Sequence, residues 1–458
     1  MISNRLKNFM NTNKNLTITN AWICQISGQE IIPVFGDILI SNGCISDITK
    51  KDFKKSLSQP IQNSEESIDA GGRVVTLPMI NFHDHFYSRL AKGLPIKGSM
   101  TNFNNILKNL WWKLDLALDA EMIRASVQMA ALESIRNGVT YIFDHHSSPN
   151  YANGSLKIIA DVLCDFGLRG VLCFETTDRN GNQLSENGIT ENLNYFRNST
   201  SKEFKAILGL HASFTLNDDT LRKVSGLVKE LDLGIHIHLC EDKVDREESF
   251  AKYKNLPVDR LIKFGLLNDK SILAHGIHLS EEDYTSITNN GGAIVYNLDS
   301  NFNNAVGLPE LSRAPFKIPI LTGTDGMNSN PARTLKQLFL LARHQGMTIE
   351  DSFNWIKKIY FDQLNFIQKY FPDFTTLNTN DRADLIIWDY IPPTPFMEEN
   401  FWGHFIYGIL DRPIHSVIQN GNVLMNNFRI TIDDSEYQKN IVAQGNRLYN
   451  KMSEINSD

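Results

Sequence analysis

Between residues 79 and 330 the sequence alternates repeatedly between a short apolar, β-type run and a longer stretch with helical spacing. This rhythm limits the possible folds more than any other feature. Candidate strands are VTYIFDH (139–145), RGVLCFE (169–175), KAILGLH (205–211), GIHIHL (234–239), SILAH (271–275), GAIVYN (292–297) and IPILTGT (318–324). The run before His83 makes eight. Between them lie segments such as EMIRASVQMAALESIRNG, whose apolar residues recur at three and four and which ends in Gly138, a helix stop signal. Strand–helix alternation implies a parallel sheet. Eight repeats in about 250 residues suggest an α/β fold of the (β/α)8 TIM-barrel type rather than an open sheet.

The flanks have another texture. LTITNAWICQI, GDILISNGCISDI and RVVTLP read as short strands, with Asn42-Gly43 as a tight hairpin turn. The polar stretch 50–67 reads as an exposed loop. Short strands return after helical stretches near 331–370, in RADLIIWDY, HSVIQNGNVLMNN and FRITIDD. A chain of 458 residues could hold about three average domains. The textures instead predict a barrel over 78–379 and one small β-sandwich domain built from both ends, 1–77 and 380–458.

Composition narrows the function. The chain is 42% hydrophobic and 21% charged, as globular proteins are, and apolar runs such as VLCF fall far below the roughly 20 residues that span a bilayer. The polar start MISNRLKNFMNTNKN lacks an export core, so a cytoplasmic location with no membrane partner is expected. A net charge of −7 without a long basic stretch argues against nucleic acid. Five scattered cysteines with no CxxC pair suit a reducing compartment.

The informative histidines fall at predicted strand ends, the face where such barrels carry their active sites. His83 and His85 lie two apart on a strand, so both rings can reach one metal ion. An isolated HxH is equally a surface pair or a packed core feature. His236 and His238 repeat the pattern, with Glu241 at the strand exit. His275 ends SILAH, and Asp325 follows IPILTGT, where a buried carboxylate needs a cation or hydrogen-bond donors. Each alone has an ordinary structural explanation, but the joint pattern does not.

This set, with the H-x-x-E spacing of His238 and Glu241, resembles the amidohydrolase superfamily in its deaminase and chlorohydrolase branch. The segments Asn109–Asp115 (NLWWKLD), Asp144–Pro149 (DHHSSP) and Cys173–Asn180 (CFETTDRN) are similar to SsnA-type aminohydrolases, which are often linked with selenium-dependent molybdenum hydroxylase systems. The chain departs from the family at Met79, where a Gly usually follows Pro78, and at Asn380-Asp381-Arg382 before Ala383.

The resemblance implies one divalent ion held by His83, His85, His238 and Asp325. Three imidazoles and a carboxylate suit zinc best, with iron as the other candidate. Two-metal members bridge their ions with a Lys at the end of strand 4, whereas Lys205 stands at the other end of that strand. A bound ion would lower the pKa of a water from 15.7 to about 7. The expected reaction is hydrolytic deamination of an amino-substituted nitrogen heterocycle, purine- or pyrimidine-like. In it Glu241 would protonate the ring nitrogen, Asp325 would take the water's proton, and His275 would orient the water and stabilise the oxyanion. His211 resembles a substrate-contacting histidine of related deaminases. Three further residues are candidate substrate contacts by position. Trp112 follows strand 1, either capping the pocket or packing as a helix on the barrel. His146 ends strand 2 beside His145, and one of the two is expected to point inward. Arg179 at the exit of strand 3 would pair with a substrate carboxylate or carbonyl unless simply solvated.

The same site could remove chloride or open a cyclic amide. The chain could also be a non-catalytic scaffold in redox-enzyme maturation, although it keeps every expected metal ligand. The expected partner is a small-molecule substrate, and family members are commonly dimers or larger.

Overall fold

The computed structural model describes residues 15–56, 67–199 and 201–455. The expectations for residues 1–14, and for 57–66 of the polar loop, lie outside the described residues. Its start, Phe53–Ser56, is one helical turn.

The chain opens with β1 (Leu16–Ser27), β2 (Glu30–Ser41) and β3 (Cys44–Lys50). Ser41 pairs with Cys44 across the Asn42-Gly43 turn, whose φ values of 54° and 78° are those a tight hairpin turn demands. Two short strands follow, β4 (Ser67–Asp69) and β5 (Val74–Thr76).

The alternating region gives β6 (Met79–Asp84), β7 (Val139–His146), β8 (Arg169–Phe174), β9 (Phe204–Ala206) and β10 (Leu208–Ala212). It continues with β11 (Ile235–Leu239), β12 (Ile272–His275), β13 (Ala293–Tyr296) and β14 (Ile320–Thr322). β6 to β9 form one parallel sheet and β10 to β14 another. Only Ile207 separates β9 from β10, which together answer to the single strand expected at 205–211. Parallel bridges join the two sheets at both seams, Thr176 to Leu210 and Asp84 to Asp325. Every residue of β6, β7, β8, β12, β13 and β14 is buried. Strands covered on both faces read as continuous apolar runs, as these do.

Inside, Phe82 lies 5.0 Å from Phe143 and 5.8 Å from Phe366 between ring centroids. Helix Ala120–Arg136 ends at Gly138, whose φ of 70° allows the reversal into β7. Gly323 permits the close approach of the chain after β14 to β6, since a Cβ there would meet Asn297 Oδ1 at 2.4 Å and the His83 carbonyl at 2.9 Å.

The last strands are β15 (Leu385–Trp388), β16 (Ile414–Gln419), β17 (Asn422–Asn426) and β18 (Arg429–Ile430). They join the first five in one nine-stranded sheet of order β18-β17-β16-β15-β5-β1-β2-β3, with β4 beside β1. The first and last strands of the described residues are therefore hydrogen-bonded into a single sheet. Within 380–458, assigned from sequence to the β-sandwich, a long helix follows the strands. Ser435–Ile455 is a helix of 21 residues, burying Leu448 and Met452. Its long polar stretches hide the apolar stripe that docks it. No helix among the described residues is long and apolar enough to cross a membrane.

Candidate metal centre and active site

Four groups converge where β6, β11 and β14 end. His85 Nε2 lies 3.0 Å from His238 Nε2 and 3.0 Å from Asp325 Oδ1, and His83 Nε2 lies 3.6 Å from the same oxygen. Ligand atoms of His83, His85, His238 and Asp325 all fall within 4.8 Å of one another. The backbone holds the first and last together, because Thr324 and Asp325 N–H both donate to the His83 carbonyl at 3.0 Å.

The other ring nitrogens are engaged. His85 Nδ1 donates to the His145 carbonyl at 2.6 Å, and His238 Nδ1 to the His211 carbonyl at 2.9 Å. His83 Nδ1 meets His236 Nε2 at 2.8 Å. The two carbonyl bonds fix the tautomers of His85 and His238 with the proton on Nδ1, turning each Nε2 to a metal. His83 Nε2 is buried with no hydrogen-bond partner. Three free imidazole nitrogens and a carboxylate match the donor set that zinc or iron accepts. The residues of the expected set could thus hold a metal ion; His85, His145, Glu175 and His238, and Glu241, His275 and Asp325, form two overlapping groups with donor atoms equally close.

Electrostatics agree. Burial holds His83 and His238 well below the usual histidine range, in the neutral form a metal needs. Burial also disfavours a charge on His85, yet Asp325 beside it outweighs this and lifts it to about 9, so a cation is wanted here. Burial opposes ionisation of Asp325 too, but His85 and His83 hold it well below the carboxylate range.

Glu241 and His275 flank this set. His275 Nε2 is 3.6 Å from Glu241 Oε2 and 4.0 Å from Asp325 Oδ2. Burial, then the charge of Asp325, pushes Glu241 well above the usual range. Burial lowers His275 to about 4. Cys240, His275 and Asp325 have φ of 49°, 74° and 52°, left-handed backbone that non-glycine residues rarely adopt. Strain at three strand ends of one site is characteristic of functional centres.

A cavity opens from these groups, and the structure sorts the candidate substrate contacts around it. His211 lines it, its Nδ1 donating to Thr215 Oγ1 at 2.7 Å. Trp112 lines it as well, directly after the π-helical turn Leu107–Trp111, so the segment both packs as helix and walls the cavity. His146 does not line the cavity. Its ring turns outward and bonds Ser148 Oγ at 2.8 Å, while His145 is the one turned inward, 3.5 Å from Glu175. Arg179 lines the cavity without being free for a substrate carboxylate. It is neither solvated nor unpaired, since Glu175 at 2.9 Å and Asp115 both hold its guanidinium, which lies over Trp112.

Sequence reading assigned no role to Asp115, Glu175, Tyr87, Ser300 or Asn304, all of which line the cavity. Asp115 and Glu175 stood in the motif segments that resemble known aminohydrolases, a signal that could have marked them. The rest carry none, because a serine or asparagine in an Asn-rich chain is unremarked until a helix aims it.

Residues 74–424 match the amidohydrolase family. The chain belongs to that family. It is thus an enzyme, a hydrolase of carbon–nitrogen bonds, and the resemblance read from its histidines holds. A 5-methylthioadenosine/S-adenosylhomocysteine deaminase of Desulforudis audaxviator is 25% identical over 462 residues, covering 96% of this chain and 99% of that one. An adenosine deaminase from Xanthomonas campestris with bound zinc superimposes with a TM-score of 0.77 at 18% identity, covering 96% and 99%. Atrazine chlorohydrolase TrzN from Arthrobacter aurescens TC1, complexed with zinc, gives 0.72 at 18%, covering 95% and 100%. At these identities the two structures establish the shared α/β fold.

Proposed function

We propose that this amidohydrolase removes ammonia from an amino-substituted nitrogen heterocycle, of the adenine kind, by attack of water. The observation that carries the reading is the pairing of Glu241 and Asp325, two carboxylates on one cavity whose surroundings push their pKa values in opposite directions. Such a split assigns an acid and a base. Glu241, kept protonated, donates to the ring nitrogen and makes the adjacent carbon electrophilic. Asp325, kept ionised, takes the proton of the attacking water. His275 Nε2 stands between them to orient that water and to meet the developing oxyanion.

One divalent ion, zinc by preference, would be held by His83, His85, His238 and Asp325 and would supply Lewis acidity to the attacking water. His211 and Trp112 would contact the substrate. The names of the relatives, deaminases of adenine-containing compounds, support the substrate class. Dechlorination would use the same site, but a carboxyl held protonated beside it favours an amine as the leaving group. A scaffold role is disfavoured by the complete donor set.

The two seam bridges support closure of the parallel strands into a (β/α)8 barrel over 78–379. The nine-stranded sheet would then form the composite β-sandwich of 1–77 and 380–458.

The test is an ammonia-release screen of zinc-loaded and then iron-loaded protein across aminopurine nucleosides, aminopyrimidines, aminopterins and guanidines. Turnover of an aminopurine is the expected result. Ammonia from none of them, with chloride released from a chlorotriazine, would replace this reading.

A further inference from the structure

The seven-residue helix Leu298–Asn304, which follows β13, bonds all three groups given a part in the proposed reaction. Ser300 Oγ donates to Asp325 Oδ2. Asn301 Nδ2 donates to His275 Nδ1 at 2.9 Å, which places the ring proton on Nε2, on the side of Glu241 and Asp325. Asn304 Nδ2 donates to Glu241 Oε1 at 3.2 Å and to Ser300 Oγ at 3.2 Å. The Asn304 amide is locked in that sense, because its Oδ1 accepts from Asn303 Nδ2 at 3.1 Å. An unbroken chain of bonds, Glu241–Asn304–Ser300–Asp325, therefore links the proposed acid to the proposed base.

Glu241 needs such a hold. It stands on a loop just past Cys240, where the backbone is left-handed, and nothing on its own strand fixes its carboxyl. A misplaced acid loses rate steeply.

We propose that Asn304 is a positioning residue of the reaction, holding the Glu241 carboxyl at a fixed place relative to Asp325 with Ser300 as the link. This rests on the deaminase reading above. Asn304 makes its bonds to Glu241, Ser300 and Asn303, and the role proposed for it acts through Glu241.

The test is a double-mutant cycle. Zinc-loaded wild type, Asn304→Leu, Glu241→Gln and the double variant are compared under single turnover with enzyme in excess, on the heterocycle that the screen finds fastest. Zinc content and Tm are measured for each. Asn304→Leu is expected to slow ammonia release about tenfold, with half-saturation, zinc and Tm near wild type, and to add nothing in the Glu241→Gln background. Ser300→Ala, a smaller change should the leucine disturb folding, is expected to behave alike with a smaller loss. Phe302→Ser, on the exposed face of the same helix, should leave the rate unchanged. An equal loss from Asn304→Leu in both backgrounds, or one that follows lost zinc, overturns the proposal while the deaminase reading stands. A Glu241→Gln variant as fast as wild type removes the role of Glu241 itself and takes both down.

Discussion

Glu241 and Asp325 share a cavity and a histidine, at 3.6 and 4.0 Å from His275 Nε2, yet only Asp325 lies against His85, whose pKa is lifted to about 9. Asp325 faces His85 at 3.0 Å and His83 at 3.6 Å, whereas Glu241 meets the neutral amide of Asn304 and the ring of His275. Glu241→Gln should therefore keep its zinc but lose about 10²- to 10⁴-fold in ammonia release, the usual worth of a positioned acid. Asp115 supplies a second test at this scale. Burial, opposed by Arg179, raises its pKa from 3.8 to about 6. The folded state then keeps a proton that the unfolded chain has lost between about pH 4 and 6, so this group's contribution to stability falls as pH rises through that window. Two units correspond to about 3 kcal/mol. In denaturant unfolding of the metal-free proteins, wild type should lose ground to Asp115→Asn by up to that amount from pH 4 to pH 7. Parallel curves would contradict the raised pKa.

At the scale of elements, the strands that carry the donors were legible from the sequence, and the walls around them were not. A buried parallel strand writes itself as an apolar run, and a polar residue at its end, such as His275 after SILA, stands out against it. Side chains that leave those ends have no such marker. Whether His145 or His146 turns inward depends on which one finds Ser148, and Arg179 is tied up by Asp115 from a helix 64 residues earlier in the chain. The C-terminal helix Ser435–Ile455 is faint in the sequence for a related reason. Only Leu448 and Met452 on it are fully buried, and its docking ground is helix Ala120–Arg136, distant in sequence. Leu448 is 0% exposed, so Leu448→Ala should cost about 2–5 kcal/mol of unfolding free energy in denaturant titration. A loss well under 1 kcal/mol would mean that the helix is not docked as described.

For the whole molecule, the two parallel sheets together bring distant residues to one point. His83 and Asp325 are 242 residues apart in the chain, and their backbones meet because β6 and the end of β14 are bridged. The histidine pattern exposed this convergence in advance, since ligands at strand ends need only the fold's direction to be placed. The wall of the cavity formed by Trp112, Arg179 and Glu175 depends on loop packing that no periodicity encodes. The central claim is that one divalent ion on the His83, His85, His238 and Asp325 set makes the protein a deaminase. Zinc is to be titrated into metal-free protein while ammonia release from the best aminated heterocycle is followed. Activity should rise linearly and level off at one equivalent of bound zinc. Full activity without metal, or a plateau only at two equivalents, would contradict the account.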